Sequence, residues 1–343
     1  MICTDSMPPP GNQPLRDGLR RRLGLPLFRA RARSFWFAAR FLPPARRSAV
    51  AGLYTFARVV DDLVDEPTCS PGPAATLGIL RAWRDWLEHP VQSAAPDPRV
   101  AAAVLPLLVQ DGVPAGYLQL LLDGVASDLT RRDTPSWPAL RAYCVQVASS
   151  IGLAMCHLLG AGRDPQARQA AVELGIAMQL TNILRDLGAD LQAGRVYLPS
   201  DELSEHGSSR EHLAWLADGL AQGRSRVVDE RFRALMRAQI ARARVHYNRG
   251  LDGVWRLPAE NQLAIVLAAH LYRAILDAIE SADYDVFSSR AATSTWFKVS
   301  QAIRSSLALR WSRPDRASRA AAHPVALAQG IVGSPDDYLV AYS

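Results

Sequence analysis

The sequence predicts an all-α fold, a helical bundle, and three observations carry that expectation. Apolar residues recur at three- and four-residue spacing through most of the chain, the period of a helix with one buried face. Pro and Gly break those stretches at helix-length intervals, as at Pro43–Pro44 and Gly72–Pro73. No apolar–polar alternation lasts long enough for a strand, and no repeat is present. A hydrophobic share of 49% over 343 residues is ample for a buried core around a single centre.

The elements follow in order. Residues 1–15 are Pro-rich and polar without an apolar run, so they are expected to form a disordered leader, neither signal peptide nor anchor. The folded domain is expected over 16–310, with a loosely ordered tail over 311–343 that carries Pro314, Pro324 and Pro335. Arg29 to Leu42 begins the fold with an aromatic-rich helix, Phe35 to Phe41; Ser34 before it reads as an N-cap or, with Arg31 and Arg33, as part of an anion site at the helix start. Pro43 and Pro44 end it and start the next helix, which stops before Pro67. Helices follow near 74–88, 98–110 and 114–127; Trp83, Trp86 and Leu87 have ordinary core spacing. Asp123 and Asp128 close the third of these and read as caps or surface charges. A long helix near 136–160 places Tyr143, Val147, Ser150 and Ala154 on one face. Ala148, Ser149 and Gly152 lie among them, and such small residues either permit close packing or leave a groove. Residues 166–191 form a second long helix, 210–250 an arginine-rich outer helix or pair, and 259–282 a core helix. His206 and His212 have no ligand spacing and read as surface.

Composition narrows the function classes. The formal charge is +6, almost all of it arginine, since Lys298 is the one lysine. That bias, with scattered arginines and no nucleic-acid motif, argues against a nucleic-acid partner. Cys3, Cys69, Cys144 and Cys156 form no CxxC and read as reduced structural thiols of a cytoplasmic protein. No uninterrupted apolar run reaches the ~18 residues of a membrane span.

Two acidic stripes carry the chemistry. In YTFARVVDDLVDE, residues 54–66, Asp61 and Asp65 are one turn apart on a helix face, with Arg58 beside them. Carboxylates so placed repel, and apolar neighbours make their charge costlier. A divalent cation removes both costs; the alternative is a solvated acidic face. In ELGIAMQLTNILRDLGAD, residues 173–190, Asn182, Asp186 and Asp190 fall at i, i+4 and i+8 on an otherwise apolar helix. Gln179 and Arg185 flank them. Hard oxygen ligands plus two arginines fit a diphosphate held through several Mg2+ ions.

Together these residues resemble the phytoene synthase/squalene synthase family of head-to-head prenyl synthases. The first stripe is similar to that family's YxxxRxxDDxxDE, here Tyr54, Arg58, Asp61, Asp62, Asp65 and Glu66. The second is similar to QLxNIxRDxxxD, here Gln179, Leu180, Asn182, Ile183, Arg185, Asp186 and Asp190. GRVYLP at 194–199, SFWFAARFLPP at 34–44, DGVASDLT at 123–130, YCVQVASSIGL at 143–153 and LYRAILDAIESADYDVF at 271–287 extend the resemblance. It departs at Ala189, where many relatives carry an acid.

The resemblance implies an isoprenoid-synthase-type bundle with a central apolar cavity, and a prenyl pocket along the small residues of 148–154. It implies two or three Mg2+ ions, with Mn2+ as substitute, on Asp61, Asp65, Asn182, Asp186 and Asp190. Catalytic roles fall to Asp61, Asp65, Arg58, Asp186, Arg185 and Tyr54. Substrate contacts fall to Arg31, Arg33, Ser34, Tyr54, Arg58, Gln179, Arg185, Tyr272 and Arg290, with Arg195 and Tyr197 closing over the site. The implied reaction joins two geranylgeranyl diphosphates 1′–1 through a cyclopropyl diphosphate to phytoene, the first step of carotenoid biosynthesis, without NADPH. Alternatives are squalene or dehydrosqualene synthesis from farnesyl diphosphate, a terpene cyclase, and a non-catalytic assembly protein. Small residues at Ala38, Ala39, Val50 and Ala51, if they floor the pocket, favour the longer C20 substrate. The apolar product is compatible with peripheral membrane association; nothing in the sequence sets the oligomeric state.

Overall fold

The computed structural model describes residues 28–29, 32–65, 72–90, 92–221 and 228–288. Every regular element among them is helical. In order these are α1 (Arg33–Ala39), α2 (Pro44–Asp65), α3 (Pro73–Glu88), α4 (Pro98–Val109), α5 (Ala115–Asp128), α6 (Trp137–Leu158), α7 (Pro165–Gln192), α8 (Ser200–Glu205), α9 (Arg210–Ala221), α10 (Glu230–Asp252) and α11 (Ala259–Ser281). Thr134 and Pro199 form an isolated parallel bridge between two loops.

Local chemistry sets several helix starts. Asp97, Asp164 and Asp229 each accept backbone N–H bonds from the first turn of α4, α7 and α10. Pro98 and Pro165 sit just inside two of those helices, where the missing N–H is not needed. Helix α1 differs from the expected Phe35–Phe41. It begins at Arg33 with Ala32 in the cap position and no side-chain cap, so Ser34 lies inside the first turn.

Helix α7 is the axis of the bundle. Its 28 residues span about 42 Å at the α-helical rise. Ile176, Ala177, Leu180, Thr181, Ile183, Leu184, Leu187 and Gly188 are all buried. It packs against α6, α10 and α11. Glycines set the closest approaches: a Cβ on Gly175 would lie 2.5 Å from the Ser149 Cα, and one on Gly152 would lie 2.7 Å from the Ala171 carbonyl oxygen. The small residues of α6 therefore serve close packing on α7; Ser149 donates to the Val172 carbonyl at 2.8 Å. Ser149 and Gly152 leave no groove, which corrects the expectation drawn from the resemblance. Helix α6 also departs from a straight helix, because Val145–Ser149 forms a π turn. The extra residue shifts the register, so the expected face joining Tyr143 to Val147, Ser150 and Ala154 is broken.

The second half of the arginine-rich segment is not an outer helix. Phe232, Leu235, Met236, Ile240, Ala243 and Tyr247 of α10 are buried. Polar groups also fasten α10 to α7: His246 Nδ1 lies 2.6 Å from the Glu173 carboxylate, and the Tyr247 hydroxyl 3.0 Å from that of Thr181.

The apolar core divides into clusters. The main one includes Phe56, Trp83, Leu118, Leu180 and Tyr247. A second holds Phe28, Ala39, Leu42, Val50, Ala51, Leu159 and Ala264, and a third Ala38, Leu267, Ala268 and Leu271. Phe35, Met155, Met178 and Ile265 each touch two clusters while only partly buried, so they border the space between them. Ala39 and Ala51 are themselves packed, Ala51 to 0% exposure, with Tyr54 resting on their cluster. They do not form the open floor that the chain-length reading assumed. Two helices, Trp137–Leu158 and Ala259–Ser281, are long and apolar enough to cross a membrane, although no uninterrupted apolar run marks them. Half or more of each apolar window is buried inside the bundle, as for core helices.

Gly175→Ala should destabilise the protein by about 1–3 kcal/mol, because the contacted atoms are backbone and cannot yield. Gly78→Ala, on the exposed side of α3 with no atom within 4 Å of the new Cβ, should be neutral or stabilising by up to ~1 kcal/mol. Urea denaturation of both variants checks this; equal midpoints would refute the tight α6–α7 contact.

Candidate active site

The two acidic stripes meet at one end of the bundle. The first lies on the last two turns of α2, the second on the last three of α7. Their proximity shows in their mutual electrostatics. Burial pushes the Asp61 carboxyl up to about 7, aided by Asp65, Asp62 and Asp128 and opposed by Arg58. Asp190 is likewise pushed up to about 7 by burial, aided by Asp186, Asp65 and Asp128 and opposed by Arg195. Asp65 and Asp128 thus act on both stripes. Nearly half of the Asp61 side chain, 45%, stays open, so water screens part of its cost.

Arginines balance the stripes. Arg58 pairs with Asp61 at 3.1 Å and with Asp62. Arg185 makes a two-pronged contact with its neighbour Asp186, at 2.9 and 2.5 Å. That contact outweighs the burial opposing its charge, and the guanidinium binds its proton more tightly than a free arginine. Arg195 donates to Asp65 at 2.8 Å. Asn182 is fixed on both sides: its amide nitrogen donates to Gln179 at 3.2 Å and its oxygen accepts from the Tyr272 hydroxyl at 2.9 Å. The second lone pair of that oxygen remains for another donor or a cation.

An aromatic layer lies beside the charges. Tyr272 stacks on Phe35 with ring centres 4.6 Å apart, and Tyr54 packs against Phe28 at 4.7 Å. Burial raises the Tyr54 hydroxyl above the ordinary tyrosine range, so it stays protonated.

The structure brings together Tyr54, Arg58, Asp61, Asp65, Gln179, Asn182, Arg185, Asp186, Asp190 and Tyr272. Ser34 shares a short helix with Phe35 but makes no bond to either stripe. Arg31, Arg290 and the side chain of Arg33 lie outside the described residues. Asp123 pairs with Arg84, but its side chain is 25% exposed and its Oδ2 is buried, so it is less of a surface charge than expected. Asp128 is a correction. It accepts from Tyr143 at 2.8 Å and Tyr197 at 3.0 Å, and burial pushes its carboxyl up to about 6 against those bonds. The spacing of Asp128 in α5 matches neither stripe; the signals for it were its place in the DGVASDLT segment of the family resemblance and a DxxxxD pattern at the end of a buried helix. His212 is also less superficial than expected, held between Ser208 at 2.8 Å and Asp229 at 2.9 Å.

The donor set is all oxygen, which suits a hard cation such as Mg2+. Among the described residues no three carboxylate, imidazole or thiol side chains converge on one point. An ion here therefore needs ligands from water or from a substrate's phosphates, as Mg2+ commonly does. The residues fit that group.

The raised carboxyls have a consequence for metal-free protein. Asp61 and Asp190 hold protons in the fold up to about pH 7 but release them near pH 4 when unfolded. Their contribution to stability is therefore fully favourable below pH 4 and is lost as pH rises through 7. In chelator, Asp61→Asn and Asp190→Asn should each raise the melting temperature relative to wild type at pH 8, by a few degrees, with the difference vanishing at pH 4.5. A difference that grew towards acid pH would contradict the crowding.

Known proteins resemble this chain over most of its length. Residues 28–297 match the Squalene/phytoene synthase family. The phytoene synthase of Arthrospira platensis is 35% identical over 285 residues, covering 78% of this chain and 86% of that protein. The 15-cis-phytoene synthase of Synechococcus elongatus is 32% identical over 279 residues, with the same coverage of each. A dehydrosqualene synthase crystal structure superposes with a TM-score of 0.75 at 25% identity, over 87% of this chain and 99% of that one. Two acidic stripes, a bundle built on one buried helix and this breadth of similarity lead to one conclusion: the chain belongs to the squalene/phytoene synthase family and is an enzyme of the prenyltransferase type.

Proposed function

We propose that the protein condenses two geranylgeranyl diphosphates 1′–1 to phytoene, through a cyclopropyl diphosphate, without NADPH. The observation that carries this is the 35% identity to a phytoene synthase over most of both chains, in a protein whose stripes form one site. The smallness of Ala39 and Ala51 no longer contributes, because both are already covered.

The roles follow from position. Asp61, Asp65, Asn182, Asp186 and Asp190 hold two or three Mg2+ ions, with Mn2+ as a substitute. When bound, those ions neutralise the diphosphate leaving group as its bond to carbon breaks. Arg58 and Arg185 add fixed positive charge aimed at the same oxygens. Arg58 is already oriented by Asp61 and Asp62, and Arg185 by Asp186, so neither must be ordered during the reaction. Gln179 positions Asn182 from one side and Tyr272 from the other. Tyr54, Tyr272 and Phe35 offer ring faces to the allylic cation and exclude the water that would trap it. The prenyl chains run from the acidic end into the space bordered by Phe35, Met155, Met178 and Ile265. Loss of a proton from the final cation leaves the central double bond.

Purified protein with Mg2+ and geranylgeranyl diphosphate, without NADPH, should give a C40 hydrocarbon. Asp61→Asn, Asp186→Asn or Asp190→Asn should each lower turnover by about 10²-fold or more while leaving the circular dichroism unchanged. A C30 product from farnesyl diphosphate, as for the dehydrosqualene synthase neighbour, would replace the substrate assignment. A cyclic product from one diphosphate would replace the reaction.

A further inference from the structure

The turn after α7 carries an arginine with a local cause for its position and a distant partner. Gly194, at φ 77°, ends the helix in the left-handed conformation. Its N–H donates to the Leu191 carbonyl at 3.0 Å, and the Arg195 N–H to the Asp190 carbonyl at 2.8 Å. This Schellman-type cap sets the Arg195 backbone against the last residue of the second stripe. The far side of the turn is stitched to the loop after α5. Val196 N–H donates to the Arg132 carbonyl at 2.8 Å, and Arg210 donates to the Gly194 carbonyl at 2.8 Å and the Arg132 carbonyl at 3.0 Å.

From that fixed base the Arg195 side chain reaches the other stripe and donates from Nη2 to Asp65 Oδ1 at 2.8 Å. The side chain is 12% exposed, and its Nε is buried without a hydrogen-bond partner. Arg58 and Arg185 pair with aspartates of their own helices. Arg195 instead joins residues 130 positions apart, bridging the two stripes. Asp65 itself is 43% exposed, so a cation from solution can reach it. A guanidinium and a divalent cation compete for the same carboxylate oxygen. Once released, the guanidinium stays near both stripes because its backbone is held to Asp190 and, through Val196, to Arg132, and its fork suits diphosphate oxygens.

We propose that Arg195 is a resident counter-cation: it neutralises Asp65 before substrate arrives, yields that carboxylate to a divalent cation, and passes its hydrogen bonds to the substrate diphosphate. The proposal rests on the reading of Asp65 as a cation ligand. Its consequence is coupling. The cation alone binds weakly against Arg195, and cation with diphosphate binds strongly, because the displaced arginine then has a partner.

The test is a Mn2+ titration of the full chain, read as free Mn2+ by electron paramagnetic resonance, first alone and then with inorganic pyrophosphate. Arg195→Gln should bind Mn2+ alone about tenfold more tightly than wild type and, with Mn2+ present, bind pyrophosphate about tenfold more weakly. Arg195→Lys, which keeps the charge, should stay nearer wild type. Adding Asp65→Asn to Arg195→Gln should abolish the gain. Arg131→Gln removes a positive charge at the same end that is paired with Asp128 and with neither stripe, and should raise Mn2+ affinity by clearly less than Arg195→Gln does. Unchanged or weaker Mn2+ binding by folded Arg195→Gln overturns the proposal, as does an equal gain in Arg131→Gln. If no folded variant, nor wild type, takes up Mn2+ even with pyrophosphate, the assignment of Asp65 to a cation fails and takes the proposal with it.

Discussion

Repulsion among carboxylates at one end of the bundle is the constraint to which the rest of the structure answers. Asp61, Asp65, Asp128, Asp186 and Asp190 are close enough that the charge of one raises the proton affinity of another. A bundle optimised only for stability would separate them. Here each stripe is met by an arginine, and the three arginines do so differently. Arg58 and Arg185 are local partners that ride on the same helix as their aspartates, so they move with the stripe and cannot set the distance between stripes. Arg195 is tied to α7 by backbone and to α2 by side chain, so it can.

Holding such a site requires helices that do not give way. Helix α7 is gripped from several sides. Ser149 of α6 and Gly175 meet at backbone contact; a Cβ on Gly250 of α10 would lie 2.4 Å from Leu174; and a Cβ on Gly188, between Asp186 and Asp190, would meet the Val286 carbonyl at 2.9 Å. The polar ties His246–Glu173 and Tyr247–Thr181 fix its register against α10. Small residues at these points bring helix backbones together, so dispersion and close packing oppose the electrostatic tendency of the site to open. The π turn in α6 belongs to the same arrangement. Its residues Gln146 and Val147 press on Gly124 of α5, while Tyr143, just before it, reaches Asp128 at the end of that helix.

Much of this was legible in the sequence because it is periodic. The stripes at i, i+4 and i+8, the Pro–Gly breaks and the apolar positions between the polar ones of α7 lead directly to helices and to two acidic faces, and the helix limits over 98–192 agree within a few residues. What was not legible is aperiodic or tertiary. Asp128 stands at a helix end, where a carboxylate is ordinarily a cap or a solvated charge; only the arrival of Tyr143 and Tyr197 from other elements changes its environment. The burial of α10 was hidden by its arginines, which keep one face wet while Phe232, Met236 and Ile240 are buried in the core. The small residues of α6 offered two readings, close packing or a groove, and sequence alone cannot say which neighbour approaches. Ala51 posed the same difficulty: a small side chain next to a site can mean room, but here Phe28, Leu42 and Leu159 occupy it.

The boundary between the acidic end and the apolar interior then decides where chemistry can take place. Tyr54 and Tyr272 stand on that boundary, each touching both sides. Tyr54 lies one turn from Arg58 and rests on the cluster of Ala39 and Ala51, while Tyr272 bonds Asn182 and stacks on Phe35. A diphosphate drawn to the stripes must leave its hydrocarbon on the other side of these rings. The carbon bearing the leaving group is then the one atom of the substrate held at the boundary. On the proposed reading, positive charge develops there beside aromatic faces and away from water. The anionic leaving group separates towards arginines already oriented to receive it. Two substrates confined by the same boundary would place their reactive carbons side by side, which is the geometry a 1′–1 coupling needs.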